Sequence, residues 1–263
     1  LRGLAVVALG LEPDRPAHVV GVLAHDLAQG PLVEVLLRVT AEEEDAGLDI
    51  SEHGMYGYPE QFIPAAERYN LMSTLDRWVI HEALTQLADR NPESKQAKYT
   101  LAINLSGTSL SEDRFLDYVI DELGKCKLPN GAICFEITET AAISNLSRVV
   151  HFMQTLKQLG CKFSLDDFGS GLSSFTYLKN LPVDYLKIDG QFIRNVAEDR
   201  VDESMVRAIN EVGRAMGIET IAERVESREV LDKLSALGVE YAQGYFIARP
   251  TSVQTFEPWA DES

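Results

Sequence analysis

Acidic and amide side chains recur inside otherwise apolar stretches of this sequence, at the places where buried strands would end. Glu34 and Arg38 lie in VEVLLRV, Asn104 ends LAINLS, and Glu136 and Glu139 lie in CFEITE. Asp166 and Asp167 end FSLDDFG, Lys187 and Asp189 lie in YLKID, Glu223 ends ETIAE, and Gln243 lies in YAQGY. Charged groups within a barrel strand are costly unless they reach the open C-terminal rim, where such barrels keep their active sites. Any one of these residues is equally well explained as a helix cap or a solvated strand end. The same feature on strand after strand is not. Carboxylates plus one amide, with no His or Cys among them, are hard oxygen donors suited to Mg²⁺ or Mn²⁺ rather than to structural zinc. Adjacent aspartates such as Asp166 and Asp167 could each serve one ion of a pair. Paired ions, typically about 3.5–4 Å apart, activate water and clamp a phosphoryl group for in-line displacement. The five histidines (His18, His25, His53, His81 and His151) all fall outside this set.

The elements that must position these groups repeat from about residue 98 onward. Each unit is a short apolar strand with a polar end, an amphipathic helix, then Leu-Gly or Met-Gly. In Asn145–Leu159 the residues Leu146, Val149, Val150, Met153, Leu156 and Leu159 recur at three- and four-residue steps and make one apolar stripe. Gly160 follows as a C-cap, and Cys161–Asp167 begins the next strand. The junction recurs at Met216-Gly217 before Ile218–Glu223 and at Leu237-Gly238 before Val239–Ile247. Ser109 and Glu112 have capping-box spacing before a helix over Glu112–Leu123, and Leu75–Leu87 reads as a further helix. Strand alternation puts Glu34 with Arg38 on one face and Lys187 with Asp189 on another, while Val35, Leu186 and Ile188 face the helices. In the first sixty residues Val33–Val39 is a strand candidate, Leu4–Leu9 a weaker one, and Ala41–Tyr58 an exposed acidic loop.

Alternating strands and helices imply a mostly parallel sheet with helices outside it. The 263 residues match a single (β/α)8 barrel of the TIM type, and no low-complexity linker divides them, so residues 1–263 are read as one domain. The formal net charge of −17 argues against a DNA or RNA polymer as partner, because backbone binding needs basic surface. It leaves room for a small phosphate ester met through cations. No apolar run reaches the roughly 20 residues of a membrane span, and no signal peptide is evident. Three cysteines without metal-ligand spacing fit a reducing cytoplasm. The first residue is Leu, which suggests a domain cut from a longer protein.

Taken in order, EVLLR, FIPAAER, INLS, FEITE, DDFGSG, LPVDYLKID, AERVE and AQGY resemble the EAL-domain family of bacterial cyclic di-GMP phosphodiesterases, from about Glu34 to Pro250. The resemblance implies a modified barrel with one antiparallel strand, and hydrolysis of cyclic di-GMP to linear pGpG. It implies that Glu34, Asn104, Glu136 and Asp166 hold a first metal, and that Asp166, Asp167 and Glu223 hold a second. Glu223 is also the family's candidate general base, so its two roles overlap. Lys187, assisted by Asp189, would orient the attacking water or stabilise charge. Glu226 and Gln243 would complete the polar floor, and Arg38 would contact a substrate phosphate. Glu139 would anchor the loop Gly169–Phe175, which the family couples to homodimerisation. A sensory or GGDEF-type domain is expected upstream, with the chain itself in the cytoplasm.

The sequence departs from the family pattern at Val35, at Arg224 where a glycine usually follows the base, in a long Ala41–Tyr58 loop, and in residues 1–33, which lack Gln-Pro-Ile. If Glu223 and Arg224 are extended, their side chains leave on opposite faces. Two other readings compete with the enzyme: a non-catalytic cyclic di-GMP receptor domain, and another phosphoesterase on the same fold.

Overall fold

A computed structural model describes residues 9–10, 19–21, 59–90, 100–170 and 176–247. Eight strands among the described residues form one sheet. In chain order they are β1 (Leu9–Gly10), β2 (Val19–Gly21), β3 (Thr100–Leu105), β4 (Ile133–Thr138), β5 (Lys162–Phe168), β6 (Tyr185–Ile188), β7 (Glu219–Ala222) and β8 (Tyr241–Ala242). The spatial order is β1-β8-β7-β6-β5-β4-β3-β2. All neighbours pair in parallel except β1 and β8, where Leu9 faces Ala242 and Gly10 faces Tyr241 in antiparallel register. This is the α/β, TIM-type barrel with one antiparallel strand that the sequence implies.

The helices fill the crossovers. They are α1 (Pro59–Arg68), α2 (Met72–Arg90), α3 (Gly107–Leu110), α4 (Phe115–Lys125), α5 (Glu139–Ser144), α6 (Leu146–Gln158), α7 (Gly190–Ile193), α8 (Arg200–Met216) and α9 (Arg228–Leu237). The Met-Gly and Leu-Gly punctuation is real: Gly217 and Gly238 end α8 and α9 in left-handed conformations. The stripe on α6 buries Val149, Met153 and Leu156.

Strand alternation divides the core in two. Leu101, Ile103, Phe135, Ile137, Phe163, Leu165, Leu186 and Ile188 join the large cluster between sheet and helices. Ala102, Cys134, Tyr185 and Ile221 form a second, small cluster on the other face, against Tyr241. The polar strand-end residues sit one step further along that same face.

Several local expectations change. The capping box does not form. Ser106 caps α3 by accepting from the Ser109 backbone N–H, Ser109 Oγ donates to Asp76 Oδ2 at 2.6 Å, and the following helix starts three residues late, at Phe115. A buried carboxylate needing donors outcompetes the local motif. The last strand is only Tyr241–Ala242; beyond it the chain turns, with the Ile247 N–H donating to Gly244 O at 3.0 Å. β2 falls on residues that carried no strand expectation; β1 includes Leu9, and the rest of the Leu4–Leu9 candidate lies outside the described residues. Val33–Val39 and the Ala41–Tyr58 loop lie outside the described residues.

Candidate active site

The inward positions at the C-terminal ends of β3 to β7 converge on one amine. Lys187 Nζ, on β6, lies 3.0 Å from Glu136 Oε2 on β4, 3.0 Å from Asp166 Oδ1 on β5 and 2.9 Å from Glu223 Oε1 just past β7. Lys187 and Glu136 are each 1% exposed. Parallel register sets this convergence: Asn104 pairs with Glu136 across β3 and β4, and the Asn104 amide hydrogen-bonds the Glu136 carboxylate. The Glu223 N–H donates to Ile188 O at 3.3 Å, so the ladder extends one residue beyond β7 and lifts Glu223 to the level of Lys187.

Asp167 should point away from Asp166 if the strand stayed regular. It does not stay regular. The β5–β6 register shifts between Leu165 and Phe168, and Asp167 takes a left-handed backbone with φ 53°. One carboxylate oxygen from each of Asp166, Asp167 and Glu223 then lies within 4.8 Å of the others.

One ammonium cannot neutralise this group of carboxylates. Burial holds Glu136 above the ordinary carboxylate range despite Lys187. Burial and the nearby Asp166 charge push Glu223 up to about 7, again against the pull of Lys187. Asp166 stays below its usual value although it is buried, because Lys187, its own neighbour's N–H and the Glu223 carboxyl all favour its charged form. The three carboxylates drive Lys187 well above the usual lysine range, overriding its burial. A divalent ion at Asp166, Asp167 and Glu223 would offset this excess of negative charge, and the all-oxygen donors are of the type Mg²⁺ or Mn²⁺ takes. The residues fit the ion.

The remaining candidates lie around this centre. Asp189 follows Lys187 but is drawn into capping α7, accepting from the Gln191 N–H at 2.8 Å. Gln243 is held by its backbone, donating to Ala222 O at 2.8 Å, and its Oε1 is buried with no hydrogen-bond partner among the described residues. Glu226 is exposed rather than in the floor of the cluster. Arg224 is not extended: its φ is 52°, and its exposed side chain runs over Gly190 at the start of α7. Glu34 and Arg38 lie outside the described residues.

Glu139, 3% exposed at the start of α5, accepts from the Gly169 N–H at 3.1 Å and from Tyr177 Oη at 2.5 Å. It therefore ties both ends of the segment between those residues. Burial and this hydrogen bond hold the Tyr177 hydroxyl far above its usual titration range. Tyr177 and Asp76 are the positioning residues that sequence reading missed. Asp76 Oδ2 accepts the Ser106 N–H at 2.9 Å, two residues past Asn104. Its signal was an aspartate one position from Leu75 on the buried side of α2.

The EAL domain family model matches residues 38–250, and the chain belongs to that family. It is 43% identical over 224 residues to the cyclic di-GMP phosphodiesterase PdeB of Shewanella oneidensis, covering 85% of this chain and 25% of that protein. It is 36% identical over 217 residues to the cyclic di-GMP phosphodiesterase PdeF of Escherichia coli, covering 82% of this chain and 27% of that protein. This chain thus spans about a quarter of those relatives' length. Among solved structures it resembles the FimX EAL domain from Pseudomonas aeruginosa bound to c-di-GMP, with TM-score 0.69 and 28% identity over 76% of this chain and 80% of that one. It also resembles the PaMucR phosphodiesterase in its c-di-GMP complex, with TM-score 0.69 and 33% identity over 74% of this chain and 79% of that one.

Proposed function

We propose that this domain hydrolyses cyclic di-GMP to linear pGpG in a reaction that depends on Mg²⁺ or Mn²⁺. The observation that carries the proposal is the buried cluster of Glu136, Asp166 and Glu223 around Lys187, with Asp167 turned toward it. Family membership and the cyclic di-GMP phosphodiesterases among the relatives supply the substrate. Glu34, Asn104, Glu136 and Asp166 would hold one cation, and Asp166, Asp167 and Glu223 a second. Such ions supply Lewis acidity, lowering the pKa of water and neutralising phosphoryl charge.

The chain's own groups do the rest. Lys187 fixes three carboxylates in one geometry and keeps a full positive charge beside the reacting phosphate. Glu223, poised to about 7 before any cation binds, takes a proton from the attacking water. The P–O3′ bond breaks and the freed 3′-oxygen is protonated, leaving a 5′-phosphate on pGpG. Gln243 Oε1, buried and unbonded among the described residues, accepts a hydrogen bond from substrate or water. Arg38 contacts a phosphate, and Asp189 and Glu226 assist from the rim. Glu139 holds the loop that completes the site, and this loop carries the coupling to a homodimer. No helix among the described residues is long and apolar enough to cross a membrane.

The test is anion-exchange analysis after incubating cyclic di-GMP with the protein and Mg²⁺ or Mn²⁺. The expected product is pGpG, absent when EDTA is added. Recovery of intact cyclic di-GMP from a protein that binds it would replace the enzyme with the receptor reading.

A further inference from the structure

Three non-glycine residues among those described have left-handed backbones: Asn70, Asp167 and Arg224. Asparagine tolerates that conformation in turns, and Asp167 uses it to join the carboxylate cluster. Arg224 has no such local excuse. Glycine would adopt this backbone without strain, so a long, charged residue there must contribute something the glycine would not.

Its surroundings limit what that is. Arg224 directly follows Glu223, on the rim of the site. Its stem crosses Gly190, where an added Cβ would collide with Arg224 Cγ and Cδ, so the missing side chain at 190 is what lets the arginine lie there. The side chain is exposed, and among the described residues it makes no ion pair or hydrogen bond, although the chain carries 41 acidic residues against 24 basic ones. A guanidinium whose stem is held against Gly190, with no partner among the described residues and next in sequence to Glu223, is suited to a second anionic group on the same ligand. A cyclic dinucleotide has such a group, because only one of its two phosphodiesters can occupy the reacting position.

We infer that Arg224 binds the non-reacting phosphodiester of the substrate and sets its affinity, with Gly190 as the space that admits the arginine stem. This rests on the cyclic di-GMP reading above. Arg224 leaves the reacting atoms alone, so its contribution appears in binding and KM rather than in kcat.

Calorimetric titration of cyclic di-GMP in Ca²⁺, whose longer and looser coordination shell should support little turnover, tests this on the whole chain. Arg224→Gly relieves backbone strain, so loss of fold does not confuse the result. It should weaken the Kd about ten-fold, the scale of one exposed charge-assisted hydrogen bond to phosphate, and flatten its dependence on salt. Arg224→Lys should recover part of the loss. Gly190→Ala, which keeps the charge but displaces the stem, should weaken binding in the parent and add nothing to Arg224→Gly. A Kd within about two-fold of the parent for Arg224→Gly would overturn the assignment. A parent that does not bind cyclic di-GMP overturns it together with the substrate reading. A parent that binds but yields no pGpG in Mg²⁺ overturns only the enzyme reading, and the Arg224 assignment then stands or falls on the Kd values.

Discussion

Lys187 shows most sharply how one residue shapes the chemistry. A fully buried ammonium survives only with partners, and here it has three carboxylates within 3.0 Å. Replacing it by methionine keeps the volume but leaves Glu136, Asp166 and Glu223 facing one another. In cation-free protein at pH 7, Lys187→Met should cost about 3–5 kcal/mol of unfolding free energy, measured by urea titration. The loss should shrink toward pH 5, as Glu136 and Glu223, both already raised, become neutral. An undiminished Cm at pH 7 would show that the amine does not hold the cluster together. The identity of these residues was legible in sequence because each interrupts an apolar strand at a rim position. The left-handed turns at Asp167 and Arg224 were not legible, since alternation predicts opposite faces and only register with neighbouring strands overrides it. The role of Asp189 was also beyond pattern alone: a strand-end carboxylate caps a following helix as readily as it enters a site.

Among elements, the strand ladder positions the acids and the short segments after each strand lock them. Glu139 joins β4 to the segment leaving β5 through Gly169 and Tyr177. Glu139→Ala should reduce turnover strongly while circular dichroism stays native. Tyr177→Phe should reproduce a milder form of that loss and cost about 1 kcal/mol of stability, the net worth of one hydrogen bond. Parent kinetics in both variants would sever the tether from catalysis. On the outer layer, buried Glu122 of α4 accepts from Lys125 and bonds His81 of α2 at 2.8 Å. Burial alone would raise its pKa, but these partners hold it below the ordinary value. A depressed folded pKa gives stability that is present above the unfolded carboxylate range and lost as pH falls through the folded value. Glu122→Gln should therefore lower Tm near pH 7 and match the parent in strong acid; an equal deficit at every pH would rule out the ionic contribution. Helix and strand types were readable from periodicity and Leu-Gly punctuation. Their starts were less so, because Asp76 captures Ser109 and delays α4.

At the scale of the whole molecule, the barrel gathers polar groups as far apart in sequence as Asn104 and Glu223 onto one face, over a thin apolar layer. With an excess of carboxylate over ammonium there, a cation held by the cluster as proposed would couple its binding to folding. An ion that binds only the native state adds stability of RT ln(1 + [L]/Kd), about 2.7 kcal/mol at 100 times the Kd. Mg²⁺ should accordingly raise the parent's Tm, and Asp166→Asn, which removes the proposed shared ligand, should abolish most of that shift. The same shift in both proteins would place the ion elsewhere.

The central claim is that this cluster, and Glu223 within it, drives phosphodiester hydrolysis. Its most direct measurement is the single-turnover rate of pGpG formation by the parent and by Glu223→Gln, side by side at saturating Mg²⁺. The amide keeps the shape but removes the charge proposed to hold a cation and take the proton, so the rate should fall by about 10²–10⁴ or more. An undiminished rate in Glu223→Gln would contradict the account.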